Sequence, residues 1–233
     1  MKKVFITLFT VALLGTVGFS QTYAGDLRIG FQASPTVSWL TNSESDINGN
    51  GTNFPGLKLG LIGERFFQDN YAFTFGVGFA FNHGGELIFD QGGNYWPNSD
   101  LNGIDNFNEE TRLKYNLQFV EVPFGLKLMT SQTGFLNFAI EPQAAFGFRI
   151  NARGDAESQR VERIEKIDIQ EEVNPLYASL GIGATVDYEV AANTLLNFGV
   201  IYQNVLTDMT KDVDADGSKA KMHVLTLRIA IIL

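Results

Sequence analysis

Eight stretches of this chain alternate apolar residues with polar or small ones at a period of two, and no other feature limits its fold so strongly. In the first, Leu27, Ile29, Phe31, Ala33, Pro35, Val37 and Trp39 share one face, and Arg28, Gly30, Gln32, Ser34, Thr36 and Ser38 share the other. The third is as regular, with Tyr71, Phe73, Phe75, Val77, Phe79 and Phe81 against Ala72, Thr74, Gly76, Gly78, Ala80 and Asn82. Successive side chains of a β-strand point to opposite faces, so each stretch predicts a strand with one greasy and one polar face. The second sets Leu57, Leu59 and Leu61 against Lys58, Gly60 and Glu64. The fifth sets Leu136, Phe138, Ile140, Ala144, Phe146 and Phe148 against Asn137, Glu141, Gln143, Gly147 and Arg149. The sixth, seventh and eighth carry Leu176 to Val186, Leu196 to Tyr202 and Leu225 to Leu233 on their apolar faces. The fourth starts with Leu113, Tyr115, Leu117 and Phe119 apolar and continues with Val122, Phe124, Leu126 and Leu128. That phase slip predicts a β-bulge near Val120–Glu121, with both apolar sets facing the same way.

The connections alternate too. Short ones fall at 68–70, 130–134 and 191–193, and long polar ones at 42–54, 83–111, 151–174 and 209–219. Short turns at one end and long loops at the other is how outer-membrane barrels are built, with turns in the periplasm and loops outside. The greasy faces carry more Phe, Leu and Ile than a narrow soluble lumen could hold, whereas the other faces carry Gly, Ala, Ser, Thr and charges that suit a crowded interior. Those interior charges nearly balance: Arg28, Lys58, Lys114, Lys127, Arg149 and Arg228 face Glu64, Glu121, Glu141, Asp187 and Glu189. Aromatic girdles are expected at Phe66, Phe67, Tyr71 and Phe135 by the short turns, and at Trp39, Tyr115, Phe148, Tyr177 and Tyr202 by the long loops. The expected fold is all-β: an eight-stranded antiparallel up-and-down transmembrane β-barrel, monomeric and set in outer-membrane lipid.

The N-terminus reads as a signal peptide. Lys2 and Lys3 precede an uncharged apolar run from Val4 to Phe19. Thr22-Tyr23-Ala24 then places small residues for cleavage before Gly25, with a competing site before Gln21. The expected division is 1–24 signal and 25–233 barrel domain, in the outer membrane of a Gram-negative bacterium after export. No later stretch approaches the roughly 18 apolar residues of a spanning helix. The chain has no Cys, which excludes disulfide and thiol chemistry. Its net charge of −9 speaks against a nucleic-acid partner.

The stretch Leu117-Gln118-Phe119-Val120-Glu121-Val122-Pro123-Phe124-Gly125-Leu126-Lys127-Leu128 resembles the central signature of the PorT-type outer-membrane β-barrel family of Bacteroidetes, with Phe119, Val120, Glu121, Val122 and Pro123 matching its pattern. The hairpin that follows, with Phe138, Glu141 and Gly147, is similar as well. The resemblance implies an eight-stranded barrel, and some members of that family are linked to secretion of proteases across the outer membrane.

Few residues point to chemistry. Asp212-Val213-Asp214-Ala215-Asp216-Gly217-Ser218 and Asp46-Ile47-Asn48-Gly49-Asn50-Gly51-Thr52 have calcium-loop spacing, but their twelfth positions are His223 and Leu57 rather than Glu. Ordinary turns use the same residues, so no metal or cofactor is expected. His83 and His223 are the only two histidines, both placed at the long-loop rim. His223 lies near Ser218 and Asp216, yet no nucleophile motif accompanies it, and no enzyme is expected. Glu121 and Lys127 read as interior ion-pair partners. The charged run Asp155 to Val173, with Val161, Ile164, Ile167 and Ile169, fits either a loop helix or strands continued above the membrane. It is the largest candidate surface for a protein partner. The expected role is an interaction barrel. A narrow transport route is the alternative, and a rim-sited lipid-modifying or proteolytic enzyme a more remote one.

Overall fold

The computed structural model describes residues 25–42, 47–48, 52–101, 106–131, 133–158, 161–191, 194–211 and 219–233. The expected signal peptide, most of the Asp46–Thr52 loop and all of Asp212–Ser218 lie outside the described residues. The strands are β1 (Leu27–Asn42), β2 (Ile47–Asn48), β3 (Phe54–Gln68), β4 (Tyr71–Phe89), β5 (Thr111–Met129), β6 (Leu136–Ser158), β7 (Val161–Asp168), β8 (Leu176–Ala191), β9 (Thr194–Val205) and β10 (Ala220–Ile232). Eight of them close a ring in the order β1, β3, β4, β5, β6, β8, β9, β10, every pair antiparallel. The seam runs from Gly30 opposite Ile232 to Asn42 opposite Ala220. Closure is what lipid demands, since a free sheet edge would leave N–H and C=O groups unpaired in hydrocarbon. β2 is a short addition against the end of β4, and β7 folds back onto β6.

The greasy faces point outward. Phe31, Leu61, Phe73, Phe79, Phe124, Ile140, Leu180, Val200 and Leu227 are all exposed on the barrel's outer wall, while Lys58, Glu64, Glu121, Lys127, Glu141, Asp187 and Arg228 are buried within. The fourth segment departs from its expected layout. Leu113, Tyr115, Leu117 and Phe119 are buried inside the barrel, on the same face as Glu121 and Lys127, and β5 alternates from end to end without a slip. The irregularities lie in its neighbours, at Gln118: Phe81 and Asn82 of β4 together face that one residue, and Ile150 is the extra residue in β6. Asn82 takes the strain of its bulge with a φ of 56°.

Physically, the strands change environment at this level. Within the lipid the outer face must be apolar. Above it the outer face meets water, and the inner face becomes apolar as in a soluble sheet. On β5 the inversion appears as an apparent slip. On β4 and β6 a bulge shifts the parity at the same height and cancels the inversion, so their sequences run on unbroken.

Three other expectations change accordingly. Phe66, Tyr115 and Tyr177 are interior residues and not girdle aromatics; Phe67, Tyr71, Phe135, Phe148 and Tyr202 do lie outside. Lys114 pairs across from Glu86 and Asp155 on the outer face of the continued sheet, not in the lumen. Residues 83–89 and 151–158 are strand where loop was expected. The 155–173 run resolves into the end of β6, the returning β7 and a short 3-10 turn at Gln170–Glu172.

Replacing Leu227, which faces the lipid and is half exposed, with Arg is expected to cost about 2–4 kcal/mol in a urea unfolding titration from bilayers. Thr226→Ala should cost little. Thr226 is buried in the lumen and its hydroxyl has no hydrogen-bond partner among the described residues. Equal costs would invert the assignment of faces.

Candidate functional site

The barrel interior has two tiers. In the half nearest the short turns, inward positions carry charge, and three cations each cross the lumen to carboxylates on another wall. Lys58 on β3 meets Glu121 on β5 at 2.7 Å and donates to Gln203 on β9 at 2.6 Å. Lys127 on β5 lies between Glu64 on β3, at 2.6 Å, and Asp187 on β8, at 2.7 Å. Arg228 on β10 pairs with Glu141 on β6. The carboxylates take further bonds from neutral donors: Asn197 to Asp187 at 2.6 Å, Thr185 to Glu141 at 2.8 Å, and the Tyr177 hydroxyl to Glu121. A charge taken out of water is tolerable only with such pairing. The void beside Arg228, lined by Ile62, Glu64, Thr74 and Gln143, measures about 20 Å³, room for about one water.

Towards the long loops the interior turns apolar. Leu40, Leu87, Leu113, Tyr115, Leu117, Phe119, Met222 and Val224 form one buried cluster with residues delivered by the loops: Tyr95, Trp96, Leu101, Phe107, Ile169, Val173 and Met209. Tyr177 joins the tiers. Its ring packs edge-on against Phe119 at 4.9 Å, and its hydroxyl reaches Glu121. Gly147 makes room for it, since a Cβ there would collide with the Tyr177 ring. His83, expected at the rim, is fully buried at this boundary with its Nε2 3.1 Å from the Thr36 hydroxyl.

Trp96 closes the top. It is wholly buried and stands at right angles to Tyr115, 5.6 Å away, and to Phe107, 6.3 Å away. Its indole N–H donates to the Tyr115 hydroxyl at 3.2 Å. A single carboxylate ties this loop down. Glu172 accepts from the Asn98 backbone N–H at 2.6 Å, the Ser99 hydroxyl at 3.1 Å and the Asn98 side-chain amide at 3.4 Å, while its carbonyl accepts from Lys211 N–H at 2.8 Å. Asn174 bonds the carbonyls of Asp208 and Thr210, and Arg149 those of Gln170 and Val173. Sequence reasoning missed both Trp96 and Glu172. The available signal was an aromatic trio, Tyr95, Trp96 and Phe107, inside an otherwise polar loop.

Beside the cap, β4, β5, β6 and β7 continue as a four-stranded sheet. Its inner face is apolar, through Leu87, Leu113, Ala156 and Ile167. Its outer face is charged. Glu86 meets Arg112 at 3.5 Å, and Arg163 meets Glu165 at 3.0 Å and Asp155 at 3.7 Å. A polar recess of about 410 Å³, lined by Ile88, Asp90, Glu110, Arg112, Glu157 and Ser158, opens at its tip. Among the described residues β7 pairs with β6 alone, so its other edge is open. His223, the second rim candidate, faces outward on β10, and its sequence neighbours Ser218 and Asp216 lie outside the described residues.

A family model described as outer membrane protein beta-barrel domain matches residues 19–211. No curated protein matches the chain's sequence. Among solved structures, Neisserial surface protein A is 10% identical, with 88% of this chain and 96% of that one covered and a TM-score of 0.45. OprG of Pseudomonas aeruginosa is 11% identical, with 92% and 99% covered and a TM-score of 0.44. A major outer membrane protein of Thermus thermophilus is 14% identical, with 86% and 98% covered and a TM-score of 0.43.

Two substitutions probe the two tiers. Lys127→Ala leaves Glu64 and Asp187 facing each other without their shared cation, an expected loss of about 3–5 kcal/mol on unfolding. Glu172→Ala removes the tie on the Trp96 loop. In a Trp39→Phe background the emission of Trp96 is expected to move to longer wavelength while the barrel keeps its heat-modifiable migration on a gel. An unchanged spectrum would mean that apolar packing alone holds the cap.

Proposed function

The chain belongs to the outer membrane protein β-barrel domain family and resides in the outer membrane of a Gram-negative bacterium. On that premise we propose that it is a structural and interaction barrel, a sealed anchor that presents its long-loop sheet to a partner protein outside the cell. The observation that carries this reading is the open edge of β7 on a charged sheet that stands above a filled barrel. An unpaired strand edge is a ready template for another chain. A filled lumen, crossed by Lys58, Lys127 and Arg228, leaves a transport route no path of its own. The PorT-like stretch around Phe119–Pro123 favours a connection with protein secretion or envelope integrity, and with a Bacteroidetes source. Export by a cleaved 1–24 signal peptide, leaving 25–233 as the barrel, belongs to the same proposal. Enzymatic action is not part of it: the hydroxyls beside His223 are those of Thr41 and Tyr202, which hold its ring in place on the outer wall.

Photo-crosslinking in living cells tests the reading. A benzophenone side chain at Arg163 or Glu165, both about half exposed, is expected to trap a discrete protein partner, and the same group at lipid-facing Leu180 is not. No adduct from β7, together with single-channel steps in a planar bilayer, would replace the interaction reading with the transport one.

A further inference from the structure

On the outer wall, at the long-loop end of the seam, three rings meet. Trp39 on β1 and His223 on β10 are directly cross-paired, and Tyr202 lies beside them on β9. The ring centroids are 5.5 Å apart for Trp39 and His223, 6.0 Å for Tyr202 and His223, and 6.4 Å for Trp39 and Tyr202, with interplanar angles of 15°, 16° and 31°. Three near-parallel rings with nearly equal separations cannot form a face-to-face column, whose outer members would be far apart. They overlap like shingles and form one plate. Hydrogen bonds at both nitrogens lock the middle ring: Nδ1 lies 2.7 Å from the Tyr202 hydroxyl and Nε2 lies 3.0 Å from the Thr41 hydroxyl. The Thr41 hydroxyl also lies 3.4 Å from the Lys221 carbonyl, which ties it to β10.

The height of the plate is set by what lies below it. The outward residues beneath are purely apolar: Leu27 to Val37 on β1, Leu196 to Val200 on β9 and Leu225 to Leu233 on β10. Above Trp39 and His223 the outward residues are Thr41 and the exposed Lys221, which are cross-paired. The plate therefore sits where hydrocarbon gives way to headgroups, at the end away from the short turns. An aromatic belt accounts for rings at this depth. It does not call for a histidine locked at both ring nitrogens and overlapped by a tryptophan and a tyrosine, with an ammonium group at the rim.

We propose that the plate seats the sugar headgroup of an outer-leaflet glycolipid, with a pyranose ring lying on Trp39, His223 and Tyr202 and a headgroup phosphate meeting Lys221. The flat C–H face of a sugar packs on an aromatic surface, and a lysine ammonium beside it complements a phosphate. Ordinary phospholipids bring the phosphate without the ring, so the site discriminates between the two lipid classes. This inference concerns the lipid collar and is independent of a protein partner at β7.

The test uses the full barrel in nanodiscs holding equal amounts of a bis-phosphorylated, acylated glucosamine disaccharide and phosphatidylglycerol, with the lipids retained by the extracted protein measured by native mass spectrometry. The glycolipid is expected to be enriched over phosphatidylglycerol. Trp39→Ala should lower that enrichment by about fivefold to tenfold, the scale of losing one aromatic contact. Tyr71→Ala, in the opposite girdle, should leave it unchanged. Lys221→Gln should lower enrichment of the phosphorylated glycolipid and not of its dephosphorylated form. Heat-modifiable migration confirms that each variant is folded, and Trp39→Leu replaces Trp39→Ala if the latter does not close. Equal retention of the two lipids by the unaltered barrel overturns the proposal. So does an enrichment that survives both Trp39 variants and responds only to Lys221, because charge alone would then explain it.

Discussion

Closure of the hydrogen-bonded ring at the seam between β1 and β10 is the constraint from which the rest follows. Lipid offers no partner for an open edge, so the sheet must close. With eight strands, closure leaves an interior only wide enough for side chains. A narrow lumen that cannot hold bulk water must be filled, and whatever charge it holds must be paired inside. The cross-lumen pairs of Lys58, Lys127 and Arg228 meet that requirement, each joining walls that are not neighbours in the ring. They brace the barrel because closure brought their partners within reach.

The change from a polar to an apolar interior has the same origin. β4, β5 and β6 are longer than the other barrel strands and rise beyond them. Once clear of lipid a sheet obeys the rule of soluble proteins, with apolar residues turned in and charges turned out. Leu113, Tyr115 and Leu117 thus lie inside on the strand whose lower half buries Glu121 and Lys127. Such a sheet exposes its apolar face unless something covers it, and Trp96, Phe107, Ile169 and Met209 provide that cover.

Much of this was legible in the amino-acid sequence. Strand number, direction, outward faces in the lipid and the alternation of short and long connections all follow from a period of two. What was not legible is the height at which the environment changes. Alternation reports that two faces differ without reporting which one meets water. On β5 the inversion looked like a slip of phase, and a bulge at Val120–Glu121 was the natural reading. On β4 and β6 true bulges at Phe81–Asn82 and Ile150 left no trace, because a parity shift and a polarity inversion cancel. Glu172 was hidden for another reason. Its three donors, from Asn98 and Ser99, come from a distant loop, and nothing local marks an acidic residue as a tie.

The interior also bears on how such a barrel could act. Opening a path through the lumen would separate Lys58 from Glu121, Lys127 from Glu64 and Asp187, and Arg228 from Glu141. Breaking one buried pair costs about 3–5 kcal/mol when the partner stays behind uncompensated. A ligand coupled to a distant site typically supplies about 1–3 kcal/mol. One effector therefore at most matches the cost of a single crossing pair, and three such pairs stand in the same lumen. A barrel braced in this way holds its shape while things bind around it. On the two proposals made above, its working surfaces are those that closure leaves outside: the sheet edge above the membrane, and the collar where the wall meets the headgroups.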